Sequence, residues 1–276
     1  MKTFILWPGN KSKYVSKYIK PHIPQKYNTY IEPFVGSGAL FLNIKPDKWI
    51  INDINLDLIN VWINVKTNHK EIIKYFKRFE IIFTTLQSNK DKIEYIRKKL
   101  LEFLKLDYNT KRASYYLLLK FCSYMGVILI KNKYQISSLN MHVYNNKYFF
   151  LRKNYYNKIC DASEFINSSN GQIYNVDYKK ILSKAKKNDF VFLDPPYIED
   201  HKYAFEYNKD EILDHAIIEE LLGQVKKLDK KGVKWLMTQA DTTIIRNTFK
   251  DYYIDSFQVY RRMNNSHKKE LIIKNY

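Results

Sequence analysis

The chain has 276 residues, enough for one or two domains with a sizeable core, and its 47 Lys and Arg against 28 Asp and Glu leave a formal net charge of +19, the footprint of a protein that docks a polyanion. Two cysteines, Cys122 and Cys160, are too few for a disulfide framework, the six histidines show no metal-ligand spacing, and no apolar run is long enough for a bilayer span. No charged-then-apolar signal peptide opens the chain, so an intracellular, soluble protein without a metal or a membrane anchor is expected, although the A/T-rich codons of Lys, Asn, Ile and Tyr offer a compositional source for the charge.

The first legible stretch, Tyr30–Leu42, reads as a strand, a glycine turn at Gly36-Ser37-Gly38 and the start of a helix. Only seven glycines occur in the chain, so two separated by one residue carry weight. The first permits a tight turn and the second a close approach of backbone to a ligand, while a plain strand-to-helix turn is the competing account. Trp49–Asn52 reads as a second strand that ends in Asp53, where doubly wound folds keep an acid for ribose hydroxyls. No Gly-Lys-Ser/Thr follows the glycine turn, so it is not a phosphate loop.

All seven prolines fall between positions 8 and 46 or at 195 and 196, leaving a long proline-free interior. Within it, apolar residues recur at three- and four-residue spacing over Glu71–Phe83, Lys92–Leu106 and Ala113–Tyr124, which predicts amphipathic helices. Val65–Phe150 holds 17 Lys and Arg against 6 Asp and Glu, more than half of the chain's positive excess. Strand-like runs resume at Gln172–Val176, just before Asp177, and at Phe190–Leu193, Val233–Met237, Tyr252–Val259 and Glu270–Lys274. With a crossover helix over Asp210–Leu228 and an antiparallel hairpin through Arg261–His267, these make an α/β fold: a seven-stranded Rossmann-like sheet with helices on both faces.

The run Phe190-Val191-Phe192-Leu193 stops at Asp194-Pro195-Pro196-Tyr197. A short apolar strand ending in a rigid Pro-Pro step holds one carboxylate and one ring at a strand's carboxyl edge, where open α/β sheets place their chemistry. The exocyclic amine of adenine fits such a clamp. Its lone pair is delocalised into the ring, and acceptors aimed at its two hydrogens favour a pyramidal nitrogen able to attack a methyl group. Asp194 and the Pro195 carbonyl are the candidate acceptors, Pro196 keeps the turn rigid, and Tyr197 is the candidate stacking ring. A Pro-rich turn after a buried strand is the plainer account of the tetrapeptide alone.

The order Phe4-Ile5-Leu6-Trp7-Pro8-Gly9-Asn10-Lys11, Glu32-Pro33-Phe34-Val35-Gly36-Ser37-Gly38, Asn52-Asp53-Ile54-Asn55 and the late Asp-Pro-Pro-Tyr resembles the Dam-like (alpha-class) DNA adenine methyltransferases. The resemblance implies S-adenosylmethionine as cofactor and duplex DNA as partner, with Trp7, Lys11, Glu32, Phe34, Gly36, Gly38, Asp53, Asp177 and Asp194 at the cofactor. It also implies a discontinuous catalytic domain, residues 1–57 and 147–276, around a helical target-recognition domain at 58–146. An RNA adenine methyltransferase and a catalytically silent nucleic-acid-binding homologue are the two rivals.

Family members that methylate GATC carry a Tyr-Asn-Gly-Leu segment followed by arginine and asparagine. The corresponding stretch here looks like Tyr124-Met125-Gly126, with apolar Val127–Ile130 in place of a guanine reader and Lys131, Asn132, Lys133 and Gln135 as candidate DNA contacts. The expected target is therefore a short adenine-containing motif that need not be GATC.

Overall fold

The computed structural model describes residues 1–123, 126, 128, 130–131, 135–136, 154–197, 215–261 and 266–276. In chain order the elements are β1 (Tyr30–Glu32), α1 (Ala39–Ile44), β2 (Lys48–Asn52), α2 (Leu56–Thr85), α3 (Asn89–Phe103), α4 (Thr110–Cys122), β3 (Ile130–Lys131) and β4 (Gln135–Ile136). They continue with α5 (Asn154–Ser168), β5 (Asn170–Tyr174), α6 (Tyr178–Lys184), β6 (Phe190–Leu193), α7 (His215–Lys230), β7 (Lys234–Ala240), α8 (Thr243–Thr248), β8 (Tyr253–Arg261) and β9 (Ser266–Lys274). Two compact units emerge: a helical one of Met1–Asn10, Gly36–Leu42 and Asn55–Ser169, and a sheet one of Lys11–Val35, Asn43–Ile54 and Asn170–Tyr276.

The sheet unit has seven strands in the order β5-β2-β1-β6-β7-β9-β8. The first five run parallel, and β9 is antiparallel to both β7 and β8, which gives the seven strands and the terminal hairpin that the sequence predicts. All four residues of β6 are buried, as a central parallel strand covered on both faces requires. On one face, Val191, Leu193, Trp235, Met237, Leu271 and Ile273 share a core with Ile218, Leu221, Val225 and Leu228 of α7. That spacing of three, four and three is the apolar stripe of an amphipathic helix.

Strand limits differ from the sequence expectation where pairing outweighs local hydrophobicity. β7 continues through polar Thr238 and Gln239 to Ala240, because these residues pair with Ile272, Leu271 and Glu270 of β9. β5 starts earlier than expected, since Asn170 and Gly171 pair with Lys48 and Trp49 of β2. Gly171 is a packing glycine: a Cβ there would lie 2.0 Å from the Trp49 ring.

From β1 the chain winds outward through β2 to β5, and from β6 it winds the opposite way to β7. The boundary between β1 and β6 is thus a topological switch point, where open α/β sheets bind ligands beyond their carboxyl ends. Five parallel strands deliver Glu32, Asp53, Asp177, Asp194 and Thr238 to that single edge.

In the helical unit, the helix expected at Glu71–Phe83 is the second half of the 30-residue α2, which is interrupted at Asn68 (φ −137°, ψ 30°). Asn55, Ser88 and Asn109 cap the N-termini of α2, α3 and α4 by accepting backbone N–H groups. Arg112 joins these helices, donating to Asp57 at 2.6 and 3.2 Å and to the carbonyls of Phe103 and Leu106. Tyr115 and Tyr116 are both buried, as core residues rather than surface platforms. No described helix is long and apolar enough to cross a membrane.

Gly171→Ala should destabilise the protein by about 1–3 kcal/mol, because the added methyl overlaps an indole that is itself 1% exposed. Urea unfolding measures it; an unchanged midpoint would mean that Trp49 has room to turn.

Candidate active site

Three of the residues singled out in the sequence converge in the sheet unit. The Lys11 ammonium lies 3.1 Å from Asp194 Oδ1 and 4.7 Å from the centre of the Tyr197 ring. The Tyr197 hydroxyl is 3.3 Å from the same Oδ1, and the Thr238 hydroxyl donates to it at 2.7 Å. A second carboxylate completes the cluster: Glu270 Oε2 accepts from Tyr197 at 3.1 Å and lies 3.8 Å from Lys11 Nζ. Lys11 and Glu270 are each 5% exposed and Thr238 is fully buried, so these contacts act in a weakly screened environment. Burial, followed by the carboxylates of Glu270 and Asp194, pushes the Tyr197 phenol well above its usual range, so it is a hydrogen-bond donor at neutral pH.

The contacts on Asp194 are one-sided. Lys11, Thr238 and Tyr197 all engage Oδ1, and among the described residues no donor is bonded to Oδ2. One oxygen is anchored and the other is presented, the arrangement an acceptor needs if it is to be rigid and still accept from a ligand.

Asn52 fastens the neighbouring strand ends. Its side-chain amide donates to the Pro33 and Val176 carbonyls at 2.9 and 3.0 Å and accepts from the Val176 N–H at 2.9 Å. Asn175 adds bonds to the carbonyls of Asp53 and Ile54 at 2.8 and 2.9 Å. Asp53 is held at 2% exposure between these ties. Glu32, equally buried, accepts from the Tyr30 hydroxyl at 2.6 Å, and burial and that carboxylate push the Tyr30 phenol well up. Phe34 packs against Tyr178 with ring centres 5.1 Å apart. Asp177 is more open: it caps α6 through the Lys179 N–H and leaves 45% of its side chain exposed.

In the helical unit, Gly36 (φ +45°) and Gly38 (φ +62°) adopt backbone conformations that favour glycine. A Cβ on Gly36 would stand 2.9 Å from Trp7 Nε1, and one on Gly38 would stand 2.7 Å from Trp62. Trp62 also donates to the Gly36 carbonyl at 3.2 Å. The fully buried Lys120 places its ammonium 4.0 Å from the Trp7 ring centre. The glycine turn is therefore a tightly fitted loop held by two indoles. Lys131 and Gln135 stand opposite each other in the β3–β4 pair, whereas Asn132 and Lys133 lie outside the described residues. Among the described residues no group of three or more His, Cys, Asp or Glu could hold a metal ion.

Thr238, Glu270 and Asn52 were not singled out from the sequence. For Thr238 a signal exists: a central strand that turns polar at its carboxyl end, Met237-Thr238-Gln239, is a strand entering a site. Glu270 precedes an apolar run like any strand-flanking charge, and only the β7–β9 register reveals its place.

A family model described as D12 class N6 adenine-specific DNA methyltransferase matches residues 7–267. The type II methyltransferase M1.LlaDCHI of Lactococcus lactis subsp. cremoris is 27% identical over 298 aligned residues, covering 100% of this chain and 96% of that protein. The DNA adenine methylase of Haemophilus influenzae is 24% identical, with 99% and 91% covered. The type II methyltransferase M.MjaIII of Methanocaldococcus jannaschii is 26% identical, with 100% and 99% covered.

Proposed function

This chain belongs to the D12 class of N6 adenine-specific DNA methyltransferases, and from that premise we propose that its Asp194–Tyr197 clamp transfers a methyl group from S-adenosylmethionine to the exocyclic amine of adenine in duplex DNA. The observation that carries the residue assignment is the one-sided bonding of Asp194, whose Oδ1 is met by Lys11, Thr238 and a proton that Tyr197 shares with Glu270, while Oδ2 has no donor among the described residues. Oδ2 accepts one amine hydrogen and the Pro195 carbonyl the other, which turns the nitrogen lone pair toward the methyl group. Pro195 suits the position because it has no N–H of its own to satisfy and its ring restricts the backbone. Tyr197, its hydroxyl tied to carboxylates, stacks on the base. The amine cannot meet a methyl donor in line while paired, so the adenine leaves the duplex stack before reaction. Transfer would break the donor's sulfur–methyl bond, leaving a neutral thioether, and the nitrogen would then pass its surplus proton to solvent water.

The residues fit S-adenosylmethionine. Bound there, its sulfonium supplies the methyl group. Asp53, buried at the end of β2, suits the ribose hydroxyls, and the tightly fitted Gly36–Gly38 turn with Trp7 suits a ligand that backbone must approach closely. Lys11, Glu32, Phe34 and Asp177 complete the proposed cofactor set, and Asp194 adds negative charge beside a cationic donor. We assign residues 58–146 to target recognition, with Lys131, Asn132, Lys133 and Gln135 helping to choose a short motif that need not be GATC.

Incubation with labelled S-adenosylmethionine and either duplex DNA or RNA, followed by nucleoside analysis and sequencing, tests this reading. Methyladenine in DNA is expected; label confined to RNA would overturn it, and exclusive GATC modification would remove the motif inference alone. Asp194→Ala should slow methyl transfer by about two orders of magnitude or more in a folded protein, since it removes an interaction realised in the transition state. Activity within tenfold of wild type would sink the role. Asp53→Ala should act instead on the cofactor, raising its Kd by roughly ten- to a hundredfold, the worth of one charge-assisted hydrogen bond of about 1.5–3 kcal/mol. Titration calorimetry showing unchanged affinity would withdraw the ribose assignment.

A further inference from the structure

Glu270 stands 73 residues beyond Tyr197 in sequence and belongs to the last strand of the sheet. Pairing of β9 with β7 sets it opposite Ala240, two residues past Thr238, at the carboxyl end of β7. Its carboxylate is buried, and burial of a carboxylate is costly unless charges or donors compensate it. The compensating groups include the two that also touch Asp194: the Tyr197 hydroxyl at 3.1 Å and the Lys11 ammonium at 3.8 Å.

Counting protons shows what this sharing does. Tyr197 has one hydroxyl proton and two carboxylates in reach, Glu270 at 3.1 Å and Asp194 at 3.3 Å. Lys11 is likewise divided, at 3.1 Å from Asp194 and 3.8 Å from Glu270. Each donor that turns fully to Asp194 spends some of its strength as an acceptor for the substrate amine. We propose that Glu270 is a positioning residue for methyl transfer: it draws the Tyr197 proton and part of the Lys11 charge away from Asp194. The carboxylate of Asp194 thereby stays open to the amine, and the Tyr197 ring is fixed at the angle in which the base stacks. The inference rests on the reading of Asp194–Tyr197 as the amine clamp. Glu270 touches neither reacting atom and acts through Tyr197 and Lys11.

Glu270→Gln is nearly isosteric and keeps an oxygen to accept the phenol proton while removing the charge. It should lower kcat by about tenfold, with KM for DNA and for S-adenosylmethionine within about threefold and an unchanged melting temperature, as expected when a transition-state interaction alone is weakened. Glu270→Ala should lower kcat further. In Tyr197→Phe, which has no phenol proton to divert, Glu270→Gln should cost less than it does in the wild type, so the double variant retains more activity than the product of the single losses.

A kcat within about twofold of wild type for Glu270→Gln overturns the proposal, as does a loss confined to KM or to melting temperature. Strictly multiplicative effects in the double variant overturn it as well. Should Glu270→Ala fail to fold, Glu270→Gln and the double variant still decide. Wild-type protein that leaves adenine unmethylated in the labelled assay overturns the clamp reading and this inference with it; active wild type with fully active Glu270→Gln overturns this inference alone.

Discussion

Lys11 is the charge that lets a buried carboxylate, Glu270, and a half-buried one, Asp194, stand together at one sheet edge. With Asp194 at 3.1 Å and Glu270 at 3.8 Å, it neutralises half of a like-charge pair that would otherwise repel in a poorly screened setting. Losing one partner from a buried ionic cluster costs about 3–5 kcal/mol, because the remaining charge stays desolvated. Thr238 and Tyr197 carry the remaining load through neutral hydroxyls, which donate without cancelling the net negative charge. A net negative, rigid edge is suited to a cationic methyl donor and to an amine that must be held by acceptors.

That edge exists because five strands run parallel and end together. Strand direction alone brings Glu32, Asp53, Asp177, Asp194 and Thr238 to one side of the sheet, although the first and last are separated by most of the chain. Direction does not fix their spacing, and here Asn52 matters. Its three hydrogen bonds to Pro33 and Val176 pin the loops after β1 and β5 to the end of β2. A side-chain amide can both donate and accept, so one residue satisfies loop groups on both sides that no ladder reaches. The antiparallel β9 then adds, from the far end of the chain, a carboxylate that a purely parallel sheet would not have supplied.

What the sequence revealed follows from how local each signal is. Asp194-Pro195-Pro196-Tyr197 stands out as a candidate because the strand, the turn, the carboxylate and the ring lie in eight consecutive residues. The Gly36 and Gly38 turn is legible because positive φ and close packing both demand glycine. Thr238 shows only as a polar end to an apolar strand, and its place beside Asp194 comes from the β6–β7 pairing, while that of Glu270 depends on the β7–β9 register, which apolar periodicity does not specify. Likewise nothing local marks Gly171 as a packing glycine until the Trp49 ring beside it is known.

The basic helical region shows the same limit from another side. Its excess of cations is real in the sequence, yet several are committed within the helical unit: Lys120 is fully buried against Trp7, Lys92 is 4% exposed near the Phe83 ring, and Lys99 pairs with Glu102 at 3.0 Å. Arg112 spends its guanidinium on Asp57 and two helix-end carbonyls. A cation buried in packing displaces few counterions from a polyanion, whatever its formal charge. The charge available for a phosphate backbone is therefore smaller than the composition suggests. Exposed lysines, such as Lys77 on α2 and Lys98 on α3, are better placed to meet it.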